Sequence, residues 1–192
     1  MTKRIQALQK KLKELHLDAA MIYDRENLIY FAGIDEVEGG ALAVPAEGEP
    51  ELFCLWLEAD HVRQACEIEK VTGFVFPQKN QSIMMAEWLK ARNWKAPKIG
   101  FTRYFISLND YLCLRDAAPD MKVCDLATVC YQMRSVKDEG EIEKMRMAGK
   151  ALAAGMQAAI DCVKPGMMEV EVLAEAEYAM TRAGSQGSSF RM

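Results

Sequence analysis

Residues 18–33 have the sequence DAAMIYDRENLIYFAG, and this stretch indicates the class of fold. Residues 18–23 are short and almost wholly apolar, as expected of a buried strand. Asp24 stands where a helix N-cap would, directly before a helical segment, and Gly33 is a typical helix end. A strand that passes straight into a helix predicts an α/β layer arrangement, in which helices cover a sheet.

The same alternation continues on both sides of this stretch. An amphipathic first helix is predicted by apolar residues at helical spacing, namely Ile5, Leu8, Leu12 and Leu15. Residues 39–57 predict a β-hairpin around a polar turn. Further strands and helices alternate as far as the short helix at 127–134. We therefore predict a mixed sheet with helices on its faces for residues 1–134.

From Asp138 onward the sequence is helical and contains no convincing strand. Asp138 and Glu141 have the spacing of a capping box, and Pro165-Gly166 ends the first helix. A second helix ends at Gly184. One face of the first helix carries mainly apolar residues: Ile142, Met145, Gly149, Leu152, Met156, Ile160 and Val163. Its small residues predict close packing against a partner that the sequence does not identify: Ala148, Gly149, Ala153, Ala154 and Gly155. Two helices make a poor domain by themselves, since their apolar faces need a third layer.

Composition excludes several classes of protein. A net charge of −4 argues against a nucleic-acid partner. No stretch approaches the roughly 20 apolar residues of a membrane span. The charged first 15 residues are no signal peptide. Thirteen Met and six Cys, the latter mostly among apolar neighbours, predict buried free thiols and a cytoplasmic location.

Neither catalytic residues nor metal ligands can be assigned from the residues themselves. His16 and His61 stand alone, without a partner at metal-ligand spacing. The chain has neither a serine-hydrolase nor a phosphate-loop motif. The acidic run at 169–177 is best explained as a solvated helix face or a partner contact.

Two stretches nevertheless resemble one family, the "pita-bread" metallohydrolases that include creatinase, aminopeptidase P and prolidase. The segment at 24–33 is similar to the family's amino-terminal domain at Asn27, Tyr30, Phe31 and Gly33. The run from 134 to 190 resembles the start of the family's catalytic domain. The matching positions in this run are Arg134, Lys137, Glu141, Ile142, Arg146, Ala148, Pro165, Gly166, Glu169, Glu171, Glu177, Gly184, Ser189 and Phe190.

The resemblance implies a domain organisation. Residues 1–134 correspond to the creatinase/prolidase-like amino-terminal α/β domain. Residues 135–192 correspond to the first helices of an incomplete pita-bread α+β domain. In the family, two divalent ions (Mn, Co or Zn) are held by two Asp, one His and two Glu that follow the Ser-Phe segment. We therefore expect the metal centre beyond residue 192, and we expect this chain to be inactive alone.

The resemblance also implies a role for the amino-terminal domain, which in such enzymes forms the dimer and covers the partner's active site. The candidate covering loop is 33–40, where Asp35, Glu36 and Glu38 could face a substrate amino group. The alternative is a solvated connection, as most loops are. We assign the nearby aromatics Tyr30, Phe31 and Trp56 to the core.

The function implied is the leading portion of a metal-dependent Xaa-Pro peptidase, either a dipeptidase or an aminopeptidase, acting on proline-containing peptides as a homodimer. Two alternatives stay open. One is a relative with other chemistry, such as creatine hydrolysis or dimethylsulfoniopropionate cleavage, because a fold does not choose among reactions. The other is a non-catalytic binding or assembly module.

Overall fold

The structure, a computed structural model, describes residues 2–35, 37, 39–103 and 106–187. The chain divides into two compact units, Met1–Ser135 and Val136–Met192. Within the described residues, no helix combines the length and the apolar character needed to cross a membrane.

The first unit alternates helices and strands as the sequence predicts. Its elements are α1 Lys3–Glu14, β1 Ala19–Ile22, α2 Arg25–Ala32, β2 Ala41–Pro45, β3 Glu51–Leu55, α3 Ala59–Ala65, β4 Lys70–Phe74, α4 Gln81–Lys90, β5 Lys98–Phe101, α5 Leu108–Ala117, β6 Lys122–Asp125 and α6 Ala127–Ser135. The strands form one sheet in the order β4-β3-β2-β1-β5-β6. The neighbours β1–β2 and β2–β3 are antiparallel, whereas β1–β5, β3–β4 and β5–β6 are parallel. The predicted mixed sheet and hairpin are therefore confirmed.

Each face of the sheet carries its own apolar core, because successive residues of a strand point to opposite sides. On one face, Ala20 and Ile22 of β1 belong to a cluster built with α1, α2, α3 and α6. On the other face, Ala19 and Met21 of the same strand belong to a cluster built with α4 and α5. β1 is thus buried on both faces of the sheet. Because β1 lies between β2 and β5, the residues that follow it leave the sheet near its centre.

Local side-chain bonds define where the helices start and stop. Asp24 accepts a hydrogen bond from the backbone N–H of Asn27 at the start of α2 (3.3 Å). Gly33 ends that helix with φ +72°, a left-handed conformation that favours glycine. Ser107 caps α5 by accepting from the N–H of Asp110 (3.1 Å). The positions of Asp24 and Gly33 agree with the predicted boundaries of α2.

The second unit is a helical pair, α7 Glu139–Cys162 and α8 Glu169–Arg182. The predicted capping box is present, with Asp138 and Glu141 each accepting from the other's backbone N–H (2.8 and 3.0 Å). The sequence predicts that small residues of α7 pack closely against a partner. For Gly155, that partner is α8. A Cβ there would lie 2.4 Å from Cγ of Met180 and 3.0 Å from the carbonyl oxygen of Ala176.

The predicted apolar face of α7 is not the face that meets α8. The buried α7 residues are Ala151 and Gly155. The predicted face is exposed at Met145, Leu152, Met156, Ile160 and Val163. Small residues meet α8 because the two helices approach closely at Gly155.

All six cysteines are free, and two of them, Cys54 and Cys130, are buried. Burial raises the pKa of Cys54 to about 11, with a further contribution from the charge of Glu58. Burial raises the pKa of Cys130 to about 12, and the charge of Asp24 acts in the same direction. The prediction of buried thiols holds for these two, whereas the other four are partly exposed.

These two pKa values predict a loss of stability at high pH. Their ordinary value is 9.0, so the unfolded chain releases both protons before the folded chain does. The folded state therefore binds more protons, and the free energy of unfolding falls as the pH rises from about 9 to 12.

At pH 9, alkylation by iodoacetamide followed by mass spectrometry should label both thiols much faster in urea than in the native protein. Equal rates in the two conditions would contradict the burial of these thiols.

Gly100 in β5 is required by close packing. A Cβ there would lie 2.2 Å from Cδ1 of buried Leu126 and 3.2 Å from Cδ1 of Leu17. Gly100→Ala should therefore lower the free energy of unfolding by about 1–3 kcal/mol, the usual cost of overpacking. Urea unfolding followed by tryptophan fluorescence measures this cost, since every tryptophan (56, 88 and 94) lies in the first unit. Gly149→Ala, in the second unit, is the control: among the described residues, no atom outside the nearby backbone of α7 lies within 4 Å of its Cβ position, so the fluorescence transition should not move.

Candidate functional site

The predicted covering loop connects α2 to β2, from Gly33 to Gly40. Ile34 is buried, which ties the start of the loop to the core. Asp35 is exposed, and its carboxylate forms an ion pair with Arg25, the first residue of α2. Glu36 and Glu38 lie outside the described residues. Of the three acidic side chains, the structure therefore places Asp35, whose charge is balanced by an arginine.

Asn27 is the centre of a buried hydrogen-bond network beneath this loop. Its amide nitrogen donates to a carboxylate oxygen of Asp24 (2.8 Å) and to the carbonyl oxygen of Thr102 (3.3 Å). Its amide oxygen accepts from Arg134 (3.2 Å). The Thr102 hydroxyl donates to the second carboxylate oxygen of Asp24 (2.6 Å). This Asn27 network joins the ends of β1, β5 and α6 to the start of α2.

Tyr30 adds a second connection between α2 and the end of α6. Its hydroxyl donates to the carbonyl oxygen of Met133 (2.9 Å). The guanidinium of Arg4 lies 4.3 Å from the centre of the Tyr30 ring and donates to its carbonyl oxygen. Phe31 is fully buried and meets Tyr30 edge to face. The structure thus brings three of the family-pattern residues, Asn27, Tyr30 and Arg134, into one set of contacts.

Several other pattern residues lie at helix boundaries or outside the described residues. Lys137 is exposed just before α7, and Glu141 belongs to its capping box. Pro165 and Gly166 are exposed between α7 and α8, where Gly166 has φ +90°. Phe190 lies outside the described residues.

One aromatic assignment was wrong. Trp56 is 56% exposed, beside exposed Leu57, at the end of β3. Its backbone still bonds to β4, since its N–H donates to the carbonyl oxygen of Phe74. The apolar run of the hairpin therefore extends beyond the part of the strand that the helices cover.

A cavity of about 620 Å³ lies beside the Asn27 network and was not predicted from the sequence. Asp24 and Thr102 line it, as do Met21 and Phe101 at the carboxyl ends of β1 and β5. Tyr23, which follows β1, also lines it. The Tyr23 hydroxyl oxygen is buried and has no hydrogen-bond partner among the described residues. The signal that could have indicated this site is a polar residue directly after each of two parallel strands, but the sequence does not show which strands are neighbours.

Electrostatics keep the Tyr23 hydroxyl protonated. Burial raises its pKa well above the ordinary value of 10.0, and the negative charge of Asp110 adds to the effect. Two serine hydroxyls, those of Ser82 (2.6 Å) and Ser107, donate to the Asp110 carboxylate. The phenol is therefore neutral, and it lies near a carboxylate that is already hydrogen-bonded.

The described residues do not fit a two-metal centre of the kind that the resemblance implies. Nowhere among them do three side chains of His, Cys, Asp or Glu converge to hold an ion. His16 and His61 are both exposed. No catalytic step can be derived from these side chains through a metal.

A sequence profile of the Creatinase/Prolidase N-terminal domain matches residues 4–136, about two thirds of the chain. The chain belongs to this family. The resemblance inferred from the segment at 24–33 is therefore confirmed, and so is the α/β fold expected of the domain.

The likeness to individual proteins extends beyond that domain. The "Putative dipeptidase YkvY" of Bacillus subtilis (strain 168) is 30% identical over 192 residues, covering 97% of this chain and 52% of that protein. The Xaa-Pro dipeptidase of Lactobacillus delbrueckii subsp. lactis is 28% identical over 182 residues, covering 90% and 48%. The prolidase from Pyrococcus horikoshii OT3 has the same fold over 96% of this chain and 50% of its own, with a TM-score of 0.82 and 23% identity. The chain thus spans about half the length of the curated relatives it matches.

The Asn27 network predicts a measurable coupling between two residues 107 positions apart. Asn27→Ala should lower the free energy of unfolding of the first unit by about 1–3 kcal/mol, because it leaves buried polar groups without partners. Arg134→Gln should cost less, and the double variant should lose less than the sum of the two, since both remove the same bond. Urea unfolding by tryptophan fluorescence measures all three. Gln132→Ala, an exposed neighbour on α6, is the control, and additive losses would show that the bond contributes nothing.

Proposed function

We propose that this chain forms the amino-terminal portion of a metal-dependent Xaa-Pro peptidase, a hydrolase of the dipeptidase or aminopeptidase P type. The observation that carries the proposal is a match along nearly the whole chain to a protein named as a dipeptidase and about twice as long. The Xaa-Pro dipeptidase from Lactobacillus supports the substrate class, a proline-containing peptide. Residues 1–134 act as the amino-terminal domain, and residues 135–192 supply the first helices of the catalytic domain.

In this proposal, the amino-terminal domain contributes to a cytoplasmic homodimer and covers the active site of the partner subunit. The covering loop is 33–40, and Asp35, Glu36 and Glu38 face the amino end of the substrate. A scaffold that holds both ends of this loop supports the assignment, because functional loops are commonly positioned by a rigid frame. Gly33 and buried Ile34 fix one end, and β2 begins at Ala41 on the other.

Catalysis would depend on two divalent ions (Mn, Co or Zn) held by residues beyond 192. Such a pair, when bound, supplies a hydroxide nucleophile and polarises the scissile carbonyl. The residues of this chain would bind none of these ions, so their contribution is to cover the substrate and to exclude water from its surroundings.

The proposal predicts that hydrolysis requires the longer reading frame. The protein translated from Met1 to the natural stop codon should release proline from Leu-Pro in the presence of Mn²⁺, and a chelator should abolish the release. The chain of residues 1–192 should release none. Turnover by a verified 192-residue chain would contradict the proposed place of the metal centre. Absence of turnover by the longer protein loaded with metal would contradict the peptidase assignment.

The same assay tests the covering loop within the longer protein. Asp35→Asn should raise KM for Leu-Pro and change kcat little, since the loop binds the substrate but does not react with it. Asp60→Asn is a matched control, because Asp60 is an exposed acidic residue on α3 that pairs with Arg63. Equal kinetics for Asp35→Asn and the unmodified protein would leave the loop as a solvated connection.

A further inference from the structure

Four large apolar side chains are exposed together at one corner of the sheet. Trp56 and Leu57 follow β3, and Val75 and Phe76 follow β4, which lies at the edge of the sheet. Their exposed fractions are 56% and 73% for the first pair, and 50% and 67% for the second. β3 and β4 are parallel neighbours whose pairing runs to their last residues, so the two exposed pairs leave the sheet side by side. We call these four residues the corner patch.

The size of the corner patch is that of the centre of a protein interface. Large apolar side chains have roughly 150–250 Å² of surface each, so four that are half or more exposed present about 400 Å². A standard interface buries about 800 Å² on each partner, and a little over half of that area is apolar. The corner patch therefore supplies most of the apolar area that one partner contributes to a stable dimer. Tryptophan and phenylalanine are also enriched at the buried centres of interfaces.

The charge around the corner patch favours a copy of the same surface as its partner. The two chain segments that contain the patch, 56–63 and 75–79, have two acidic and two basic residues and so carry no net charge. Two of these residues pair with each other, Asp60 with Arg63 (2.7 Å). A surface without net charge can face its own copy without repulsion, whereas a nucleic acid or a highly charged protein gains no attraction from it. Two-fold dimers, in which both copies use the same surface, are the commonest oligomers.

The corner patch also adjoins the proposed covering loop. A Cβ at Gly39 would lie 3.3 Å from Cζ of Phe74, the last residue of β4. The backbone N–H of Trp56 donates to the carbonyl oxygen of the same residue (2.9 Å). A second copy bound to the corner patch would therefore lie beside loop 33–40, as the proposed covering of the partner's active site requires.

We propose that the corner patch is the contact surface for a second copy of this protein, and that Trp56 and Phe76 are buried against it. This inference rests on the homodimer proposed above and names the side chains that form it.

The test uses the protein translated from Met1 to the natural stop codon. Sedimentation velocity should show a dimer, and Leu57→Glu and Val75→Glu should each raise the dimer Kd at least tenfold, because a carboxylate would be buried without a partner. Val123→Glu is the matched control, since Val123 is 49% exposed on β6, at the opposite edge of the sheet. A monomeric unmodified protein, or an unchanged Kd in both corner variants, would overturn the proposal. Equal weakening by Val123→Glu would overturn the placement of the contact at this corner.

Tryptophan fluorescence tests the contact at Trp56 directly. Trp88 is buried and Trp94 is partly buried, whereas Trp56 is exposed in the single chain. The emission maximum should therefore move to shorter wavelength as the protein concentration rises through the dimer Kd. Trp56→Phe keeps an apolar ring, so it should abolish this movement while sedimentation still shows a dimer. A movement that persists in Trp56→Phe would overturn the burial of this side chain.

Two further measurements separate the interface from folding and from catalysis. The thermal midpoints of the corner variants, taken at concentrations where every protein is monomeric, should equal that of the unmodified protein. Hydrolysis of Leu-Pro is measured on the same preparations. An active monomer would overturn the contact surface and leave the peptidase assignment standing, whereas an inactive dimer that Leu57→Glu dissociates would support the contact surface and contradict the peptidase assignment.

Discussion

The buried side-chain amide of Asn27 is the constraint on which the centre of the first unit depends. Its nitrogen donates twice and its oxygen accepts once. These three hydrogen bonds replace the bonds to water that the amide loses on burial. The bonds are directional and join four elements, β1, β5, α2 and α6. An apolar side chain of the same size would fill the space, but it would not specify which of these elements meet.

The network also explains why a cavity persists beside a well-packed sheet. Asp24 and Thr102 line the cavity and are also hydrogen-bonded to each other within the network. The network therefore holds both side chains in place. The divergence of α2 and α5 to opposite faces keeps the connections apart at the strand ends.

Local chemistry made most of the fold predictable. The helix caps Asp24, Ser107 and Asp138 act within three residues of their own position, so the sequence alone identifies them or narrows the choice. The bond from Arg134 to Asn27 could not be predicted, because it depends on which helices are neighbours. The cavity escaped prediction for the same reason, since β5 lies beside β1 although about 75 residues separate them. Trp56 was wrongly assigned to the core for a different reason. The apolar end of its strand extends beyond the helices that cover the sheet, so the side chain is exposed.

The residues that carry the family resemblance in this domain are structural ones. Asn27 and Tyr30 hold the end of α6, and Gly33 supplies a left-handed turn that other residues adopt at a cost. Their pattern therefore identifies a scaffold and says little about chemistry. Tyr23, whose hydroxyl is unpaired within the described residues, lies outside that pattern. Relatives that share the scaffold can thus differ at the cavity, because neither the caps nor the network requires a hydroxyl at position 23.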